Sequence, residues 1–298
     1  MTLGALGVVV GRLNNSVTAL GAIGLAIESR LSGCPLPPPV QQQVDAIFAA
    51  LGVAGDFTSA DVTELRALLT DIRFGMFDAM KMVSANPCSP GWMHMESDFL
   101  QTTGEASAVL PAVIKKLVAP RLAGLAARLE SPAAAFVDIG VGVAALSIEM
   151  ARLWPALRIV GLEPWAPALA LARANVEKAG LQDRIELRYQ GGEELTDTAA
   201  FDLAWIPIPF IPERVLKVVL ERTAQALRPD GWLLMPFVNP AAEPFVAALS
   251  RLRIALWSGS TMTPSEAEIC LQKAGFVDIQ TLPTPSVAIA ALVACRRP

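Results

Sequence analysis

The feature that most constrains this chain is an apolar strand that runs into two glycines and then opens a helix. It lies at Phe136-Val137-Asp138-Ile139-Gly140-Val141-Gly142-Val143-Ala144. Glycine at such a turn lets the main chain approach a ligand with no Cβ between them, and it accepts positive φ. The helix that follows presents free N–H groups and a positive dipole end. Read with Ala145 as the last small residue, the turn also fits a dinucleotide fingerprint. The hydrophobic pattern around it alternates. Strands are predicted at Ala134–Ile139, Arg158–Leu162, Ile185–Tyr189, Phe201–Ile208 and Gly231–Val238. Helices fall between them at Ala144–Leu153, Ala166–Ala179 and Pro212–Leu227. Such alternation predicts a parallel α/β sheet, with ligands beyond the carboxyl ends of the strands. Thr263-Pro264-Ser265-Glu266 is a capping box with proline in the first turn, and Gly275 stops that helix. Phe276–Leu282 and Val287–Ala294 complete the chain as a strand pair.

The preceding residues have a different character. Asn14–Leu31, Gln41–Leu51, Ser59–Val83 and roughly Met95–Leu129 carry apolar residues at helical spacing, with no strand among them. The change at Ser131-Pro132 predicts two domains in the 298 residues: an all-α, substrate-covering domain over 1–131 and a ligand-binding domain over 132–298. With 53% apolar and 17% charged residues, the chain is too apolar for disorder. Its net charge of −4 is spread over both halves, which argues against nucleic acid and anionic membrane surfaces as partners. The apolar runs Leu3–Val10 and Val17–Ile27 are split by Arg12, Asn14 and Asn15, so neither is expected to reach the ~20 residues of a membrane span. No basic start marks a secretory signal. Four scattered cysteines and the single histidine, His94, predict no metal site and a reducing, cytoplasmic setting.

Glu163 closes the second strand of the sheet domain, 23 positions after Gly140. A carboxylate there can accept both hydroxyls of an adenosine ribose. Trp165 follows and can cover a base.

With these residues placed, the chain from Gln101 to Pro298 resembles the class I S-adenosylmethionine-dependent methyltransferases. Asp138-Ile139-Gly140-Val141-Gly142 is similar to their first motif, and Glu163 to their acid after strand two. Ala174–Leu181 with Arg184-Ile185 resembles the passage into strand three, and Phe201-Asp202-Leu203-Ala204 the start of strand four. Ala226-Leu227-Arg228-Pro229-Asp230-Gly231 resembles the turn into strand five, with Asp230 at the first glycine. The resemblance implies a Rossmann-like seven-stranded sheet of order 3-2-1-4-5-7-6 and S-adenosyl-L-methionine as cofactor. It also implies that Gln101 or Thr102 lies over the methionine end, and that Trp205 and Ile206 border the methyl-transfer site.

Two departures stand out. Ala144 replaces the third glycine of the first motif. After strand three, where the family has Gly-Asp-Ala with the aspartate on the adenine amino group, this chain reads Gln190-Gly191-Gly192-Glu193. Backbone groups, Gln190 or Glu193 must then serve the adenine. The expected reaction is methyl transfer to an oxygen (hydroxyl or carboxylate) or nitrogen of a small metabolite, by a chain compatible with a homodimer. Phe210, with Trp205 and an aromatic from the helical half, would line the acceptor pocket. Arg251 and Arg253 are candidate clamps for an acidic acceptor, and His94 is a candidate base. The alternatives are a nicotinamide-dependent oxidoreductase, or a non-methylating binding protein or cyclase on the same fold. Against the oxidoreductase, Glu193 rather than a lysine lies four positions after the only tyrosine, Tyr189.

Overall fold

The computed structural model describes residues 2–53, 60–84, 92, 95–238, 243–257, 259–282 and 290–298. They form two compact units, Met1–Ala85 and Asn86–Pro298. The division falls about 45 residues before the expected one at Ser131-Pro132.

The first unit comprises α1 (Leu3–Ser32), α2 (Pro38–Leu51) and α3 (Val62–Ser84). Ile27, Leu65, Leu69 and Ile72 make its small core. Helix α1 starts 11 residues before the predicted Asn14–Leu31 and is unbroken by Arg12, Asn14 and Asn15. The hydroxyls of Ser16 and Thr18 donate back to the carbonyls of Arg12 and Asn14, so polar groups are satisfied within the helix. By length and composition alone, α1 is apolar enough to cross a membrane, which the split runs did not suggest.

The second unit begins with α4 (Ser97–Glu105), α5 (Leu110–Val113) and α6 (Leu125–Leu129). These short helices and the segments between them belong to the unit of the sheet because residues 114–129 are tied into it. Trp232 Nε1 donates to the Ala123 carbonyl at 3.1 Å, and Lys115 Nζ donates to Leu153 O at 2.8 Å while lying over the Trp154 ring. Leu125, Leu129, Ile114 and Val118 are buried in the same core as Phe136, Trp154 and Leu203.

The sheet follows as β1 (Ala135–Ile139), α7 (Ala145–Leu153), β2 (Arg158–Leu162), α8 (Ala166–Lys178) and β3 (Ile185–Arg188). It continues with β4 (Phe201–Trp205), α9 (Glu213–Ala226), β5 (Leu227–Val238), α10 (Pro244–Leu256), α11 (Pro264–Lys273), β6 (Val277–Leu282) and β7 (Ala290–Arg296). The order is β3-β2-β1-β4-β5-β7-β6, as expected, with β7 antiparallel to both neighbours. Two buried layers cover its faces. Strand β5 starts four residues before the expected Gly231, because Leu227 already pairs with Phe201 before a register shift. Asp230 stands in for glycine by adopting φ +62, a conformation aspartate tolerates better than most residues. The Thr263–Glu266 capping box forms in both directions.

Away from the carboxyl ends of the strands, Asp202 is a buried carboxylate. It accepts from Ala135 N at 3.0 Å and Arg228 Nη1 at 2.5 Å, with Arg128 Nη1 at 3.4 Å. Asp202→Ala leaves the part-buried Ala135 N–H and one contact each of Arg128 and Arg228 without an acceptor. It should lower the unfolding free energy by about 2 kcal/mol in chemical denaturation, with ligand affinity kept.

Candidate functional site

Beyond the carboxyl ends of β1, β2 and β4 lies a cleft of ≈ 530 Å³ within the second unit. Its base is the glycine turn. Gly140 and Gly142 adopt φ of +74 and +58, so both need the freedom the sequence provides. A Cβ on Gly142 would meet no atom within 4 Å, so it would project into free space on the cleft wall. Ala144 also adopts positive φ, at +66, and opens α7 with its small side chain fully buried.

Glu163 is buried and holds this turn. Its Oε2 accepts from Gly142 N at 2.9 Å and its Oε1 from Trp165 N at 2.9 Å. Burial pushes its carboxyl above the usual range, against the pull of these two N–H groups. Asp138, at the end of β1, is fully buried and pushed up to about 7. Burial is the main cause. The 2.7 Å bond from Ser147 opposes it, and the nearby Glu163 charge adds to it.

Helix α4 closes one side through Leu100, Thr103 and Gly104, joined by Ser107 from the turn that follows it. A Cβ at Gly104 would collide with Val143 Cγ2, so glycine permits the helix to lie on the turn. Thr103 Oγ1 is buried without a hydrogen-bond partner among the described residues, and its residue lines the cleft. An orphaned hydroxyl of this kind costs free energy until a polar ligand meets it.

Next to α4, with Trp92 centred 6.0 Å from Phe99, the wall is aromatic. Phe210 and Trp257 stack with centroids 5.1 Å apart, and Trp92 meets each edge-on at 5.2 Å. Gly259 brings Trp257 there, since a Cβ on it would overlap the Pro209 carbonyl, and the segment bridges to Pro212. Arg214 is the one Lys, Arg or His among the described cleft residues.

Of the predicted site residues, Asp138, Gly140, Gly142, Glu163, Trp165, Gly191, Gly192, Trp205 and Phe210 all line this cleft. Four others do not. Gln101 faces away: it donates to Glu105 and accepts from Asn175 Nδ2 at 3.0 Å, and the same Asn175 amide bonds the Val143 carbonyl. Its role is to hold α4 and α8 to the turn, and Thr103 takes its expected place. Gln190 is off the wall, because the chain turns back at Arg188 and aims the next residues inward. Ile206 points into the apolar layer beneath the sheet, as strand alternation requires after Trp205. Arg251 and Arg253 lie on α10 and do not line the cleft, where Arg214 is the arginine among the described residues. His94 lies outside the described residues. Sequence reasoning missed Thr103, Arg214 and Trp257, while Trp92 is the aromatic expected from the helical half.

These features fit the cofactor implied by the resemblance. Glu163 suits a ribose diol, the open turn suits a close main-chain approach, and Thr103 Oγ1 lacks a partner. Residues 136–231 match a family described as a methyltransferase domain. The release factor glutamine methyltransferase of Geobacter sulfurreducens is 29% identical over 147 residues, or 40% of this chain. The match spans about half the length of that curated relative. Among solved structures, the S-adenosylmethionine-dependent methyltransferase SibL in its apo form aligns with a TM-score of 0.67 at 16% identity, over 97% of this chain and 99% of that one. The mitomycin 7-O-methyltransferase MmcR aligns with 0.54 at 19% identity, over 99% and 98%. At such identities the two structures speak to the fold.

Proposed function

We propose that this chain, whose residues 136–231 match a methyltransferase domain, is an S-adenosylmethionine-dependent methyltransferase that methylates an anionic oxygen on a small, flat, apolar metabolite. The observation that carries this is the division of the cleft wall. Its three carboxylates, Asp138, Glu163 and Glu193, come from the ends of β1, β2 and β3, the side that suits the cofactor. The rest of the wall includes the aromatic cluster of Trp92, Phe210 and Trp257, with Arg214 as the cation among the described residues.

When bound, S-adenosylmethionine supplies a methyl carbon on a positively charged sulfur, open to displacement by a nucleophile. The chain does the rest. Glu163 and the glycine turn fix the nucleoside, while Thr103 offers a hydroxyl from the α4 side. The aromatic rings exclude water and suit both a flat acceptor and a nearby cation. Arg214 attracts an oxygen that is already ionised, such as a carboxylate or an acidic phenol or enol, so no proton must be removed at the moment of transfer. Positioning then supplies much of the acceleration. MmcR is named as an O-methyltransferase, which agrees with an oxygen acceptor. The Geobacter relative is named for glutamine. Here the segment after β4 reads Ile206-Pro207-Ile208-Pro209, which has no polar side chain to orient an amide.

A screen of metabolite pools with methyl-labelled cofactor, read by mass spectrometry, tests the reading. The product should be a methyl ester or methyl ether of an acidic aromatic or apolar compound. A labelled amine or amide would overturn it. With that acceptor in hand, Arg214→Ala should raise KM about tenfold while S-adenosylhomocysteine affinity stays unchanged. His94→Ala should retain turnover.

A further inference from the structure

We propose, on the reading above that the cleft holds S-adenosylmethionine, that Asn175 is a positioning residue: its amide joins the glycine turn to helix α4, so that a ligand seated on the turn also fixes α4 over the cleft. Asn175 does not line the cleft and acts through the groups it holds.

The need for it arises in the turn. Positive φ at Gly140, Gly142 and Ala144 bends the chain away from a regular helix start. The main-chain ladder of α7 begins only with Ile148 N donating to Ala144 O, at 2.9 Å. Among the described residues, no main-chain N–H reaches the carbonyl before it, that of the buried Val143. A buried carbonyl needs a donor. Asn175 Nδ2, from the last turn of α8, supplies it at 2.9 Å.

The same nitrogen carries a second proton, which goes to Gln101 Oε1 at 3.0 Å. Gln101 Nε2 donates in turn to Glu105 Oε1 at 3.0 Å. The two ends of this path, a main-chain carbonyl and a carboxylate, only accept hydrogen bonds. They fix the direction of both amides, since turning over either one would set like atoms against each other. The three bonds form one connected path from the turn to α4.

Helix α4 depends on such a tie. It has nine residues and no side-chain cap at Glu96. Isolated helices shorter than about 12–15 residues are marginal in water. Its apolar anchorage is a small cluster in which Leu100 meets Val143 and Ala168, apart from the two layers that cover the sheet. Yet α4 serves both parts of the cleft wall. Leu100, Thr103 and Gly104 line the cleft beside the turn, and Phe99 lies 6.0 Å from Trp92 of the aromatic cluster. A cofactor that fixes Gly142 and Val143 holds the carbonyl, through it the Asn175 amide, and through that α4. The acceptor's wall is thereby set by the bound methyl donor.

Calorimetry with S-adenosylhomocysteine and hydrogen exchange read by mass spectrometry test this on the full chain. In the wild type the ligand should slow exchange by about tenfold or more in Ser97–Glu105 as well as in the glycine turn. Gln101→Ala keeps the bond to Val143 and cuts the tie to α4. At saturating ligand it should retain the slowing in the turn and reduce that in Ser97–Glu105 to less than about threefold. Asn175→Ala should weaken binding about tenfold and Gln101→Ala about threefold, with the double variant no weaker than Asn175→Ala, because both changes cut one path. Side chains that merely stabilise their own helices would give the product of the two losses, about thirtyfold, and that result overturns the proposal. So does undiminished slowing in Ser97–Glu105 of Gln101→Ala, which decides alone should Asn175→Ala not fold. A wild type that binds without slowing Ser97–Glu105 overturns the proposal and leaves the cofactor reading standing. A wild type that does not bind overturns both.

Discussion

Replacing Glu163 by alanine is expected to weaken S-adenosylhomocysteine binding roughly a hundredfold, about 2.7 kcal/mol. Two effects combine. Each carboxylate oxygen already takes one backbone N–H, from Gly142 and from Trp165, at 2.9 Å. Each retains a lone pair, so a ribose diol can be accepted without giving up those bonds. Alanine removes the acceptors for the two ribose hydroxyls. It also frees the two N–H groups that hold the glycine turn and the start of α8 in register. Glu163→Gln separates the contributions. It keeps one oxygen as acceptor but turns the other position into a donor that opposes the backbone N–H. Its affinity should fall between those of wild type and Glu163→Ala, with a lowered melting temperature in the absence of ligand. Calorimetry on the three proteins checks the series. A loss of less than threefold in Glu163→Ala would remove the ribose role and leave Glu163 a brace for the turn.

What could be read from the sequence divides along a physical line. The glycine turn, Glu163 and the strand order were legible because they rest on local chemistry: positive φ, an acid at a strand end, and the alternation of two hydrophobic periods. The α4 contact was misassigned by helix phase. Gln101 carries an amide, yet Leu100, Thr103 and Gly104 form the i, i+3, i+4 stripe of α4, continued by Ser107 in the turn beyond it. The glycine in that stripe was the available signal for close approach. Arg214 was hidden by its position, an exposed residue in the first turn of α9, brought to the cleft only by the path of the Ile206–Pro212 segment. Trp257 depended on the packing of Gly259 beneath Pro209, a contact between segments about 50 residues apart. The boundary at 131 marked where strands begin. The compact units divide at 85 because Leu100 of α4 packs on Val143 and Ala168, while Ile114, Val118, Leu125 and Leu129 are buried in the same core as the sheet.

Asp138→Asn is expected to stabilise the ligand-free fold near neutral pH and to flatten its pH dependence. The carboxyl ordinarily titrates near 3.8, and burial pushes it up to about 7 in the folded chain. The unfolded chain therefore loses this proton first as pH rises. Between about pH 4 and pH 7 the folded state binds more protons than the unfolded state, so this residue makes stability fall as pH rises through that window. The full cost of holding the charge, reached above pH 7, is on the order of 4 kcal/mol. Asparagine keeps an oxygen for the Ser147 hydroxyl, now at 2.7 Å from Oδ2, and carries no charge to desolvate. The variant should gain most over wild type at pH 8 and little at pH 4, as read by denaturant unfolding across that range. The same carboxyl lines the cleft beside Glu163, and a cationic ligand there favours its ionised form. Binding of S-adenosylmethionine should then tighten as pH rises from 6 to 8 and release a fraction of a proton at pH 7, visible as a buffer-dependent heat. Both signals should vanish in Asp138→Asn. If the variant instead melts lower than wild type at pH 8, the charge is stabilising in the fold and the burial argument fails. If the variant gains stability as expected, the residue is a buried acid kept at a stability cost because its charge is needed when the cation arrives.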